Sequence, residues 1–145
     1  TTVVSTLFLD NAIIIGNVCD SRLYSWREGL FDKLTEDHSL LNDYIKMKRL
    51  SPEEIASFPH KNVIVRALGM KESVKVDCFL DKPEVGDIYV LCTDGLSGPV
   101  SDEEIREIMA GSADLPSASK GLIERANRNG GPDKITVVLA RMLAA

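Results

Sequence analysis

The stretch "TTVVSTLFLDNAIIIGNV", Thr1 to Val18, sets two β-rich apolar runs on either side of Asp10 and Asn11. Asx residues tolerate the backbone of a tight turn, so the pattern predicts a hairpin. "LYSWREGLFDKL", Leu23 to Leu34, repeats the scheme with Glu28 and Gly29 at the turn, and the chain therefore opens as a β meander. From Ser39 the period changes. Leu40, Leu41, Tyr44 and Ile45 follow helical spacing, and "SPEEIASF" places Ser51 as an N-cap with Pro52 at the first helical position. Two short helices in a polar excursion are expected there.

Extended structure is expected again in "NVIVRALG" (62–69) and "VKVDCFL" (74–80), with "KPEVGD" as a turn before the apolar run Ile88 to Leu91. That run ends at Asp94. Ser101 and Glu104 then give the Ser-x-x-Glu capping pattern of a helix running to Ala110 and closed by Gly111. "PSASKGLIERANRNGG" predicts a second helix with Leu122, Ile123 and Ala126 on one face and Gly130 as its stop, and "KITVVLARML" a final buried strand. Strands in hairpins followed by grouped helices define an α+β class with a mostly antiparallel sheet. The lack of a glycine-rich strand-to-helix loop excludes the usual dinucleotide and P-loop readings.

A length of 145 residues, 44% hydrophobic and 27% charged, fits one soluble domain, 1–145, with no internal repeat. The net charge of −5 argues against nucleic acid as a partner, and no apolar run is long enough to span a bilayer. Cys19, Cys78 and Cys92 are odd in number and widely spaced, which matches neither a disulfide framework nor a zinc signature. A reducing, cytoplasmic setting is expected. Cys78 and Cys92 read as strand core and Cys19 as a small buried or partly buried thiol. The opening at Thr1 without methionine predicts that a segment precedes it.

Three acids share one local setting: Asp20 follows "IIIGNVC", Asp94 follows "IYVLCT", and Asp133 precedes "KITVV" after Gly130 and Gly131. In an antiparallel sheet the end of one strand lies beside the start of its neighbour, so Asp94 and Asp133 are expected to converge at one edge. Clustered carboxylates either share a proton or bind a cation, Mg²⁺ or Mn²⁺ being suited to oxygen ligands. Each aspartate taken alone reads first as a turn residue bonding its own backbone, and their joint placement is what points to a metal. His38 in "EDHS" and His60 in "FPHKN" read as surface or capping residues, Tyr24 and Trp26 as core, and Asp102, Glu103 and Glu104 as an acidic first helical turn.

In order and spacing, "GNVCDSRLYSWREGLFDKLTEDHSLLNDYIKMKRLSPEEI", "FPHKNVIVRALG", "GDIYVLCTDGLSGPVSDEEI" and "ANRNGGPDKITVVLAR" resemble the PP2C-type metal-dependent serine/threonine protein phosphatases, the bacterial branch above all. The resemblance runs from Thr1 to Arg141. It implies an antiparallel β-sandwich flanked by helices in four αββα layers, with the N-terminal part missing, and a flap over about 39–60. It also implies a binuclear Mg²⁺ or Mn²⁺ centre with a weaker third ion. By position, Asp94 in "TDGL" and Asp133 in "GGPDKIT" correspond to ligands of one ion, and Asp20 in "CDSR" to a ligand of the third. The implied reaction is hydrolysis of phosphoserine and phosphothreonine in proteins by an activated water, with phosphoproteins and a serine/threonine kinase or its targets as partners.

Two residues depart from the pattern. Cys19 stands where the family has glycine, and Lys134 where asparagine follows the aspartate. The family's upstream arginine, Glu-Asp pair and Asp-Gly-x-Gly-Gly-His motif do not occur in this sequence. The alternative reading is thus a degenerate, non-catalytic phosphatase-like module that binds proteins.

Overall fold

In the computed structural model, residues 1–48, 50–59 and 63–144 are described. The first hairpin pairs β1 (Val3–Phe8) with β2 (Ile13–Val18), and the Leu9 amide donates to the Ala12 carbonyl at 2.9 Å across the Asp10–Asn11 turn. The second pairs β3 (Arg22–Arg27) with β4 (Leu30–Lys33). Its two turn residues, Glu28 (φ 50°) and Gly29 (φ 86°), are both left-handed, as a two-residue hairpin matching the strand twist requires. After α1 (Leu40–Lys48) and α2 (Pro52–Ala56) come β5 (Asp77–Asp81), β6 (Ile88–Cys92), α3 (Asp94–Ser97), α4 (Asp102–Gly111), α5 (Leu115–Arg128) and β7 (Val137–Arg141).

Two fully antiparallel sheets result, β1-β2-β5 and β4-β3-β6-β7. Ile13, Ile15, Leu23 and Tyr89 are buried together with Val4, Phe79 and Leu91 against them, drawn from both sheets, so this cluster is the filling of a sandwich. The second core lies between the four-stranded sheet and the helices. There Tyr24, Val90 and Cys92 meet Ile105 and Met109 of α4 and Ala118, Leu122 and Ala126 of α5, the i, i+4 spacing of a single helix face. α4 starts as its sequence predicts, and α5 starts on Asp114, which the sequence reading did not single out. The Ser101 hydroxyl accepts from the Glu104 amide while the Glu104 carboxylate accepts from the Ser101 amide, and Asp114 caps α5 through the Ser117 amide.

The described residues thus supply three of the four expected layers. The outer face of β1-β2-β5 carries Leu7, Ile14 and Leu80 exposed. Cys78 corrects the sequence reading: it is exposed on that face, because strand side chains alternate and Phe79 takes the inward position. "NVIVRALG" is not a strand over its described part. Its backbone is spent on the feet of the helical excursion, with Leu40 N–H on the Val63 carbonyl, Val65 N–H on the His38 carbonyl and a lone bridge between Ser39 and Ile64. His38 is also corrected, being 5% exposed rather than on the surface. His60 lies outside the described residues.

Candidate metal centre

The site forms where strand ends meet at one end of the sandwich. β6 and β7 pair through Cys92 and Val137, and the ladder is carried past the strand ends by Thr93. Its amide donates to the Thr136 carbonyl (3.1 Å), its hydroxyl donates to the Lys134 carbonyl (3.0 Å), and the same hydroxyl accepts from the Thr136 amide (3.1 Å). Thr93 therefore locks the loop bearing Asp133 to the turn that starts α3 at Asp94. The two acids converge as expected, though each lies just beyond its strand.

A glycine makes this approach close. A Cβ on Gly95 would stand 2.2 Å from the Lys134 carbonyl oxygen and 2.7 Å from its carbon, inside any real contact. Only a residue without a side chain lets the two loops touch. Lys134 reaches Asp133 through its backbone, the amide donating to Asp133 Oδ1 at 2.7 Å.

Asp20 arrives from the other direction. The chain leaves the first sheet at Val18 and enters the second at Arg22, and Cys19 makes that crossing in a left-handed conformation (φ 92°). Asp20, Asp94 and Asp133 line one cavity together with Arg22, Asp37, Ser39, Ser97, Gly98 and Pro132. The guanidinium nearest them is committed elsewhere, Arg22 being forked onto Asp37 with Nη2–Oδ2 at 2.6 Å and Nε at 3.0 and 3.1 Å. Burial, then the negative charges of Asp20 and Asp133, push Asp94 above the usual carboxylate range. Among the described residues no Lys, Arg or His forms an ion pair with Asp20, Asp94 or Asp133. Their hard oxygen donors fit Mg²⁺ or Mn²⁺. Among the described residues, however, no group of three or more His, Cys, Asp or Glu side chains is placed to hold an ion by itself.

Comparison with known proteins follows this geometry. No family model matches the chain. It is 37% identical over 139 residues to the serine/threonine phosphatase stp of Listeria innocua, covering 96% of this chain and 55% of that protein. The crystal structure of the Mycobacterium tuberculosis serine/threonine phosphatase PstP/Ppp superimposes with a TM-score of 0.92 at 36% identity, over 99% of this chain and 60% of the other. The chain is part of a PP2C-type phosphatase domain. It spans a little over half the length of these PP2C relatives. A PstP catalytic domain solved with two manganese ions is similar at a TM-score of 0.87 and 35% identity, covering 99% of this chain and 59% of that domain. Metal dependence is thus a property of this PP2C family, and the antiparallel sheets flanked by helices are its fold.

Two elements of the site were not legible in the sequence. Gly95 looks like any turn glycine until Lys134, 39 positions away, is found against it. His38 gave only the polar run "EDHS", and its partners Cys19 and Asp77 are far from it along the chain.

Proposed function

We propose that the protein to which this chain belongs hydrolyses phosphoserine and phosphothreonine in phosphoproteins with Mg²⁺ or Mn²⁺, and that Asp94, Asp133 and Asp20 are this chain's share of its metal centre. The observation that carries this reading is the convergence of three carboxylates on one cavity, with burial and then the charges of the other two pushing Asp94 above the usual carboxylate range. The bound ions would supply Lewis-acid activation of a water and charge for the phosphoryl oxygens. The chain's own groups orient that chemistry. Thr93 and Gly95 hold the loop of Asp133 to that of Asp94, and Asp37 engages Arg22 beside them on the same cavity.

Binuclear binding, completed by ligands outside this chain, and a weaker third ion held by Asp20 with Asp94 belong to the same proposal. The helical excursion of residues 39–60 borders the cavity at Ser39 and Leu41 and is assigned to substrate discrimination. A serine/threonine kinase or its targets would supply the phosphoproteins. No helix among the described residues is long and apolar enough to cross a membrane, and a cytoplasmic site of action is part of the proposal.

The test is Mn²⁺ calorimetry and p-nitrophenyl phosphate hydrolysis on the full-length protein, with Asp94→Asn beside it. Tight binding and turnover that Asp94→Asn reduces at least tenfold, with the fold intact, support the assignment. Mn²⁺ affinity unchanged by the substitution overturns it. A full-length protein that neither binds Mn²⁺ nor hydrolyses the ester favours the alternative, a phosphatase-like protein-binding module.

A further inference from the structure

Cys19 is a non-glycine residue in left-handed backbone (φ 92°), a strained conformation that persists only where surroundings impose it. The surroundings that impose it converge on one residue. The Cys19 amide donates to His38 Nδ1 at 2.9 Å in a buried contact, and the Cys19 carbonyl accepts from the His38 amide, also at 2.9 Å. Both backbone groups of the crossing residue are therefore held by His38.

The ring is fixed in turn. With Nδ1 accepting from the Cys19 amide, Nε2 lies 3.0 Å from Asp77 Oδ2 and 3.0 Å from Arg66 Nη1. Burial alone would raise Asp77, but the hydrogen bonds from His38 and Arg66 outweigh it and hold Asp77 below the ordinary carboxylate range, leaving an acceptor. Arg66 Nη1 reaches the other oxygen at 2.7 Å. Asp77 and Arg66 thereby hold the ring edge opposite the one that meets Cys19.

The same histidine stands at the base of the helical excursion. Its carbonyl accepts from Val65 at the far foot, and Ser39, the next residue, caps the near foot by accepting from the Asn42 amide. The segment Thr35–His38 is laced along Asn17–Leu23 by Asn17 Nδ2 on the Glu36 carbonyl, Arg22 on Asp37, and the Leu23 amide on Thr35 Oγ1.

We infer that His38 is a positioning residue for Asp20: its Nδ1 holds Cys19 in the left-handed conformation that delivers Asp20 to the acidic cavity, and it ties that turn to the feet of the excursion. The inference rests on Asp20 being a metal ligand as proposed above. Loss of a residue that orients a metal ligand typically weakens metal affinity 10–100-fold. The role separates from mere stability because the two bonds of the ring can be cut one at a time. Asn places its amide oxygen near Nδ1 and keeps the Cys19 bond, whereas Gln reaches toward Asp77 and loses the acceptor for Cys19.

The experiment measures amide hydrogen exchange at residue 19, unfolding stability and Mn²⁺ affinity on the full-length protein for His38→Asn, His38→Gln, His38→Ala, Cys19→Gly and the double variant Cys19→Gly/His38→Ala. Expected are exchange and Mn²⁺ affinity within about threefold of the starting protein for Asn, and at least tenfold faster exchange with about tenfold weaker binding for Gln and Ala. The double variant is expected to recover Mn²⁺ affinity to that of Cys19→Gly alone, since glycine takes up φ near 90° without a clamp. Equal behaviour of Asn and Gln, or no recovery in the double variant, overturns the inference. If the starting protein binds no Mn²⁺, the metal reading fails by itself. The exchange rates and the stability coupling between positions 19 and 38 then decide whether His38 sets the turn, and the absence of coupling overturns it.

Discussion

Gly95→Ala tests the geometry on which the site depends. An alanine Cβ would meet the Lys134 carbonyl oxygen at 2.2 Å, the carbonyl carbon at 2.7 Å and the Ile135 nitrogen at 3.2 Å. These are backbone atoms, so no rotamer change relieves the contact. Bringing the oxygen to an ordinary separation of about 3.3 Å requires the two loops to part by roughly 1 Å. The parting strains the bonds that Thr93 makes to Lys134 and Thr136 at 3.0 and 3.1 Å. Overpacking of this kind costs about 1–3 kcal/mol and one weakened hydrogen bond about 1 kcal/mol more. For a domain of this size a total of about 2–4 kcal/mol lowers Tm by roughly 5–12 °C. The same displacement carries Asp133 away from Asp94, and a misplacement of about 1 Å at a reacting centre reduces rate by about 10²-fold. Thermal unfolding followed by circular dichroism, with Mn²⁺ calorimetry on the full-length protein, reads both effects. A variant with Tm within 1 °C of the starting protein and unchanged Mn²⁺ affinity would refute the close approach of the two loops.

Three further outcomes follow from the same structure. Asp94→Asn relieves the repulsion from Asp20 and Asp133, so in chelator-treated protein it is expected to raise stability by about 0.5–1 kcal/mol while abolishing its share of metal binding; a fall in Tm would show that Asp94 is held by favourable contacts instead. Asp87 is 2% exposed and forked by Arg27, with Nη2–Oδ2 at 2.5 Å and Nε–Oδ1 at 2.9 Å. Although burial alone would raise it, the hydrogen bonds from Arg27 and from the Glu84 amide hold its folded value below the ordinary 3.8. Its stabilisation is therefore complete above that value and lost as pH falls from about 4 through the lowered folded value, and a urea-unfolding series at pH 5 to 2 should show a shallower acid decline for Asp87→Asn. An identical decline would remove this pair from the acid transition. Of the three thiols, Cys78 alone is exposed, while burial pushes both Cys19 and Cys92 up to about 12. One thiol per chain should react rapidly with a disulfide reagent under native conditions, and Cys78→Ser should abolish the fast phase; rapid reaction of all three would contradict the two-core packing.

Local sequence carried a large part of the fold because hairpin turns, helix caps and strand alternation are decided within a few residues of one another. Asp10–Asn11 and Glu28–Gly29 turn where their chemistry requires, and Ser51, Ser101 and Gly130 bound their helices as expected. Asp20, Asp94 and Asp133 were recognisable as a set because each ends or begins an apolar run, and antiparallel pairing puts such ends together. The misreadings share one cause. The faces of Cys78, the burial of His38 and the loss of a strand in "NVIVRALG" depend on which partner a backbone or side chain finds across the fold.

The chain's sequence by itself therefore determined the two hairpins, the later helices and the three acids that meet at one end. Tertiary structure alone decided how those acids are held. Gly95 matters because the Lys134 carbonyl lies against it, Cys19 is held left-handed by His38 at both its backbone groups, and Asp94 resists ionisation because it is buried and two other charges share its cavity. Contact and electrostatic energies depend on distance in space, and residues 38, 77 and 94 acquire theirs only when the sheets have closed.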